Sequence, residues 1–213
     1  MYRNSLAVAC ALAVALPFAS SPLFAQASRA ERSEQRRLER LSRLDSAHFA
    51  RTATVQDSQL DVIATISTQP GFRYRGGLTE RVRSDNFLRA IVDKQTGLTV
   101  IQLYQTIMYT GQWRHFRSAN YQSPDGLRST PLIAIANAVP TCSGGLCVHD
   151  DQVAFDVPEQ DLRRIAAAQA GANGALWRFK FNATSGEDWE DSISLAEIEG
   201  FLRRLDQFRT GAR

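Results

Sequence analysis

The stretch that decides the fold is Asp85–Ala119, which reads DNFLRAIVDKQTGLTVIQLYQTIMYTGQWRHFRSA. Near its start Leu88 and Ala90 alternate with Phe87 and Arg89, which is the two-residue period of a β-strand. The segments KQTG and TGQ each contain a glycine suited to a tight turn, and the residues between them are rich in β-branched and aromatic side chains. The pattern therefore predicts three successive antiparallel strands with short connections, a β-meander.

The clearest alternation in the chain lies further on, in Ala175–Thr184, which reads ALWRFKFNAT. Its aromatic residues share one predicted face and its basic residues the other: Trp177, Phe179 and Phe181 against Arg178 and Lys180. Such alternation indicates one buried and one solvated face. Further strands are predicted at Gln59–Ser67 and in a hairpin whose arms are Pro131–Cys142 and Leu146–Val157.

Helices are predicted late in the chain. Ser194 and Glu197 form an S-x-x-E capping box before apolar residues at helical spacing, and a shorter helix starts at Pro158. The predicted fold class is α+β: an antiparallel β-meander or curved sheet of about six or seven strands. A C-terminal amphipathic helix and the shorter helix are expected to pack on this sheet.

The N-terminus has the layout of a secretory signal peptide. An unbroken apolar run, Leu6–Leu16, is followed by small residues at Ala25 and Ala27, and the run falls short of the ~20 residues that a membrane span needs. We predict a signal peptide at 1–27, a charged N-terminal helix or linker at 28–52, and a single α+β domain at 53–213. The expected location is periplasmic or secreted, with no transmembrane segment after signal removal.

The charged segment 28–52 leaves two interpretations open. Its arginines and thin leucine stripe would allow it to lie on an anionic membrane, but the stripe lacks the bulky aromatic residues usual in such helices. A solvated helix, partly docked or partly disordered, is the interpretation we favour.

The two cysteines of the predicted mature chain, Cys142 and Cys147, are expected to form a disulfide. An oxidising compartment favours it, and the spacing fits neither a four-ligand zinc site nor a C-x-x-C redox motif. Gly144 and Gly145 between them can adopt the positive φ of a hairpin turn, which would place the cysteines opposite each other.

Composition and motifs exclude several function classes. The formal net charge is only +3, so nucleic acid is not an expected partner. The chain contains no G-x-S-x-G, H-E-x-x-H, P-loop or G-x-G-x-x-G sequence, and no cofactor is predicted.

Two groups of side chains are candidates for a site. His149 and Asp151 would point to the same face of a strand, where they could hold a metal or transfer a proton. A candidate ligand-binding face consists of basic residues interleaved with aromatic ones, and it could hold an anion or a glycan: Arg89, Arg114, Arg117, Arg178 and Lys180. Each group also has an interpretation without function. His149 and Asp151 could be polar residues at the exposed end of a hairpin, and the basic residues could form the solvated face of a half-buried sheet.

The segments DNFLRAIVDKQTG and QLYQTIMYTGQWRHFRSANY, together with the C-x4-C hairpin, resemble a group of uncharacterised exported bacterial proteins. The likeness covers Asp57–Phe208. It implies export and a single domain, and it brings no activity or catalytic residue with it.

Two functions follow as hypotheses. The first is a non-catalytic binding or envelope-associated module, with an envelope component, a glycan or another protein as partner. The alternative is a hydrolase or metal-dependent enzyme that uses His149 and nearby carboxylates.

Overall fold

The computed structural model describes residues 22–72, 84–168 and 175–211. The chain divides into two compact units, Met1–Arg36 and Arg37–Arg213, and helix α1 (Pro22–Leu41) crosses the boundary between them. Residues 1–21 of the predicted signal peptide lie outside the described residues. Among the helices that are described, none is long and apolar enough to span a membrane.

The second unit contains ten described strands and three further helices. The strands are β1 (Thr54–Gln56), β2 (Ile63–Ser67), β3 (Ser84–Asp93), β4 (Thr99–Thr110), β5 (Phe116–Ser123), β6 (Gly126–Pro131), β7 (Ile133–Ser143), β8 (Leu146–Asp156), β9 (Leu176–Ala183) and β10 (Trp189–Ser194). The helices are α2 (Ser46–Thr52), α3 (Glu159–Ala168) and α4 (Leu195–Arg209).

The strands form two antiparallel sheets. The larger has six strands in the order β1-β2-β3-β4-β8-β7, and the smaller has four in the order β10-β9-β5-β6. The α+β class with antiparallel sheets and a C-terminal helix is therefore confirmed. The expectation of one sheet with six or seven strands is replaced by two sheets that face each other across the core.

The meander was predicted correctly as far as β4. The first four strands are successive neighbours, and β3 pairs with β4 across the KQTG turn. The next predicted pairing is wrong, because β5 begins at Phe116 and pairs with β6 and β9 in the other sheet. His115 has a φ of 54°, a left-handed conformation that redirects the chain before β5. The free side of β4 is occupied by β8.

The two sheets are joined by an aromatic cluster around Phe155 of β8, which is fully buried. Its ring centroid lies 5.6 Å from Tyr121, 6.0 Å from Phe179 and 5.8 Å from Phe181. The ring of Trp177 lies 6.4 Å away on the same sheet as these partners. The predicted burial of the aromatic face of β9 is thus confirmed, and Phe155 of the opposite sheet covers it.

Helix α4 packs against α2, α3, β10, β2 and β3. Its approach to α2 is close because residue 200 is glycine: a Cβ there would lie 2.5 Å from Cβ of Phe49 and 2.6 Å from the carbonyl oxygen of Ser46. Phe49 is fully buried beneath this contact. The compact unit Arg37–Arg213 therefore includes α2, which supplies part of the core.

A buried ion pair links α1 to β10. Nη2 of Arg37 lies 3.0 Å from Oδ1 of Asp191 and donates to the backbone oxygen of Ser192 at 2.9 Å. Gln105 of β4 donates to the other oxygen of Asp191 at 3.1 Å. These contacts bridge the two sheets, since β4 and β10 belong to different ones.

The capping box of α4 is present in one half only. The hydroxyl of Ser194 accepts a hydrogen bond from the backbone amide of Glu197 at 3.1 Å, as predicted. The Glu197 carboxyl does not complete the box; it accepts a hydrogen bond from the Thr68 hydroxyl in the core. Burial raises the pKa of Glu197 to about 8, because the interior disfavours its charged form.

We expect Phe179→Ala to lower the free energy of unfolding by ~3–5 kcal/mol, because it leaves a cavity beneath Phe155. The adjacent exposed residue is the matched control, and Arg178→Ala should cost under ~0.5 kcal/mol. Urea unfolding of both variants measures the difference. Equal losses would contradict the strand register described here.

We expect Glu197→Gln to flatten the pH dependence of stability between about pH 5 and 8. The folded chain keeps the Glu197 proton up to its raised pKa of about 8, whereas the unfolded chain releases it near the ordinary value of 4.5. The contribution of Glu197 is therefore fully present below the unfolded pKa and is lost as pH rises through the folded pKa. Urea unfolding at several pH values would show the same slope in both proteins if this assignment is wrong.

Candidate functional site

His149 and Asp151 lie on the same face of β8, as the alternation predicted, and that face points into the core. The exposed fraction is 6% for His149 and 3% for Asp151. Their partners across the sheet are Tyr109 and Ile107 of β4. The two candidates therefore occupy a buried position and not the exposed end of a hairpin.

Both side chains hold the segment between β4 and β5. The Tyr109 hydroxyl donates to Oδ2 of Asp151 at 2.7 Å and accepts from the backbone amide of Arg114 at 3.1 Å. Nε2 of His149 lies 3.0 Å from the carbonyl oxygen of Gly111, so it carries the proton that it donates. Side chains of two neighbouring strands thus fix both ends of this connection.

Aromatic rings pack around the same connection. His149 stacks on Tyr109 with ring centroids 5.1 Å apart, and Trp113 lies 5.3 Å from His149 on another side. His115 stacks on Trp113 at 5.5 Å with an interplanar angle of 6°. The guanidinium of Arg114 covers the Tyr109 ring at 4.7 Å. The conformation of His115 is therefore supported by a stack that continues into the core.

The electrostatics favour a neutral tyrosine. Burial raises the pKa of Tyr109 well above its usual range, with the neighbouring Asp151 adding to the rise and the Arg114 backbone amide opposing it. Burial, and then the charge of Asp151, also raises the pKa of Asp150. Tyr109 therefore acts as a hydrogen-bond donor to Asp151, and it is poorly suited to act as a base.

No group of three or more His, Cys, Asp or Glu side chains within the described ranges is placed to hold a metal ion. His149 and Asp151 contribute to a buried polar brace whose contacts are to Tyr109 and Gly111. These contacts position the connection between β4 and β5.

The five basic candidates do not share one face. Arg89 lies on the outer side of the six-stranded sheet, where it donates to Gln102 at 2.8 Å. Lys180 lies on the outer side of the four-stranded sheet and pairs with Asp188 at 2.8 Å. The remaining three are Arg114, paired with Glu187 at 3.1 Å, and the exposed residues Arg117 and Arg178. A single binding surface made of all five is therefore absent from the structure, and a role for any one of them stays a prediction.

A groove of about 600 Å³ lies between α3 and α4. Two of its charged side chains, Arg163 and Asp206, are paired with each other at 2.6 Å, and Arg163 also lies 2.7 Å from Glu159. Arg209 also pairs with Glu159, at 2.9 Å. These ion pairs tie α3 to α4, so the groove is accounted for by helix packing.

The surface that sequence analysis missed is the outer side of β7, which we call the β7 edge (Ile133–Ser143). In the described part of the chain β7 has one sheet neighbour, β8, and all eleven of its residues are exposed. Ile133, Ile135 and Val139 are exposed to 37%, 39% and 42%. The strand has no charged residue. An edge of this length and polarity presents unpaired backbone donors and acceptors to any other strand.

The other three described sheet edges have ordinary protection. β1 has three residues, β6 carries Arg128 and ends at Pro131, and β10 carries Glu190 and Asp191. Short length, charge and proline are the usual devices against unwanted strand pairing. The β7 edge is distinguished from them by combining length with a lack of charge, and its own protection is limited to Pro140 and two register shifts against β8.

A disulfide secures the β7–β8 hairpin at its turn. Cys142 is bonded to Cys147, and the two residues are opposite each other in the register. Gly144 and Gly145 between them have φ values of 58° and 79°, as the predicted hairpin turn requires. The covalent link holds β7 on β8 although little of β7 is buried.

The sequence predicts a hairpin arm here, but the segment IAIANAV (Ile133–Val139) does not by itself indicate an exposed edge. The run has apolar residues without a charge, which is as typical of a buried strand as of an exposed one. Only the sheet order shows that β7 lies at an edge.

Comparison with protein-family models, with curated proteins and with solved structures finds no match to this chain. The resemblance to exported bacterial proteins therefore stays a prediction, and the functional argument depends on the geometry alone.

We expect Tyr109→Phe to lower the free energy of unfolding by ~1–3 kcal/mol, because it leaves the buried Asp151 carboxylate without its donor. The matched control is Tyr104→Phe. Tyr104 is half-buried and donates to the neutral side chain of Gln152 at 2.9 Å, so its loss should cost about 1 kcal/mol or less. Urea unfolding compares the two, and a larger loss in the Tyr104 variant would contradict the brace.

Proposed function

We propose that this protein is an exported, non-catalytic module that binds another polypeptide strand in the cell envelope through the β7 edge. The observation that carries the proposal is the exposure of all eleven residues of an uncharged edge strand. Backbone groups on the open side of such a strand can form the ladder of hydrogen bonds by which an extended peptide is added to a sheet.

The chemistry of the edge favours a polypeptide over the other partners considered. Uncharged side chains offer no ion pair to a phosphate or another anion, and β7 contains no aromatic residue on which a sugar ring could stack. Its alanines and short branched side chains suit close strand pairing.

Export is supported by the sequence of residues 1–27 and by the disulfide, since such bonds persist in oxidising compartments. A disulfide beside the edge also keeps β7 in place when nothing is bound. We therefore place the binding event in the periplasm or outside the cell.

The enzyme alternative has weaker support. A catalytic His149 would need contact with substrate, and the ring lies between Tyr109 and Trp113 with an exposed fraction of 6%. Its contacts to Gly111, Tyr109 and Trp113 are explained by its role in positioning the β4–β5 connection.

The test has two parts, and the first concerns export. Cells that express the full chain should yield an envelope species whose intact mass corresponds to a chain starting close to Ser28. Its Cys142 and Cys147 should resist thiol labelling until a reductant is added. A species that keeps residues 1–27 in the cytoplasm would contradict export.

The second part is photo-crosslinking in the envelope with a photoreactive amino acid at Ile135. We expect protein adducts at this position that disappear when Ala136→Lys places a charge on the strand. The control is the same amino acid at Leu127, which is 77% exposed on β6, the edge of the other sheet. Equal adducts at both positions, or none at Ile135, would overturn the proposed function.

A further inference from the structure

We propose that the strand bound at the β7 edge is β7 of a second copy of this chain, paired antiparallel about a twofold axis at Asn137. This inference rests on the proposed function and names its partner. It follows from a symmetry in the sequence and in the irregularities of β7.

The irregularities of β7 are placed almost symmetrically about Asn137. The register with β8 shifts between Ala134 and Ala136, and again between Ala138 and Thr141. One extra residue of β7 is accommodated at each shift, because β8 advances by one residue at the first and by two at the second. The regular part of the strand is therefore centred on Asn137.

The five central residues, Ile135–Val139, have the same symmetry, and it ends where Ala134 would meet Pro140, which has no amide hydrogen to donate. Pairing β7 with a copy of itself about Asn137 places Ala136 opposite Ala138 and Ile135 opposite Val139. Small residues then meet small ones and branched residues meet branched ones. Both kinds of pair are compatible with close cross-strand contact.

The side-chain faces also agree. Directly opposite residues of an antiparallel pair lie on the same face of the sheet. Ala136 and Ala138 are opposite Gln152 and Asp150 of β8, which are two residues apart in that strand, so both alanines lie on one face. Asn137 is opposite Asp151 and lies on the other. The proposed pairing therefore joins alanine to alanine on one face and Asn137 to its own copy on the other.

Asn137 is the residue that sets this register. A carboxamide carries both a donor and an acceptor, so two copies facing each other across a twofold axis can bond reciprocally. A charged residue at this position would repel its copy, and β7 contains none. Self-pairing of β10, in contrast, would bring the exposed carboxylate of Glu190 to the edge that meets the copy.

The first test is the oligomeric state of the exported protein. Sedimentation velocity over a range of concentrations should show a reversible dimer with a dissociation constant in the micromolar range, because the contact is a single strand pair. Ala136→Lys combined with Ala138→Lys should weaken the dimer at least about tenfold, since each lysine would face a lysine of the copy. Ser129→Lys, an equally exposed change on β6, is the control and should leave it unchanged.

The second test is a cysteine scan of the register. Asn137→Cys should form a disulfide-linked dimer by itself, because residue 137 faces its own copy. Ala136→Cys and Ala138→Cys should each crosslink poorly alone, since like positions are diagonal and about 7–8 Å apart. A mixture of these two variants should crosslink efficiently. Peptide mapping confirms that Cys142 and Cys147 remain paired with each other, and Ser129→Cys is the control.

The outcomes separate this inference from the proposed function. A chain that stays monomeric at all concentrations, or crosslinks best in a different register, overturns the self-pairing. If Ile135 then crosslinks to a different envelope protein, strand addition at the β7 edge stands and the second copy does not. If Ile135 gives no adduct of any kind, both proposals fail.

Discussion

The contact on which the rest of the structure depends is the packing of Phe155 between the two sheets. Its fully buried ring lies within 6.0 Å of Tyr121, Phe179 and Phe181, which all belong to the opposite sheet. The hydrophobic contribution of this cluster is what makes two separate sheets a single core. Strand β8 therefore has two structural roles. It places Phe155 in the core, and it pairs with the edge strand β7.

The same arrangement explains why one edge is open. The core contains Val153 and Phe155 of β8 but no buried residue of β7, which is the next strand outward. A six-stranded sheet facing a four-stranded one leaves end strands without cover, and β1 at the opposite end has only three residues. Strand β7 is long and exposed, and the Cys142–Cys147 disulfide attaches it to β8 where burial does not.

The polar side chains that the sequence suggests as site residues stabilise the fold, whereas the surface proposed for binding is made of backbone groups. His149 and Asp151 are buried and brace the connection that carries the chain from one sheet to the other. The basic residues are divided between two outer faces, and several are in ion pairs. The proposed recognition surface is the backbone of an uncharged strand, and strand addition of this kind needs no catalytic or charged residue.

The sequence by itself determined the local elements, because alternation and capping act over a few residues. It predicted the β3–β4 hairpin, the buried face of β9, the start of α4 at Ser194 and the Cys142–Cys147 turn. The pairing of β5 with β9, the burial of His149 and the exposure of β7 depend on residues far apart in the chain. An apolar run such as Ile133–Val139 has the same pattern whether it lies inside a sheet or at its edge, so only the tertiary structure could decide.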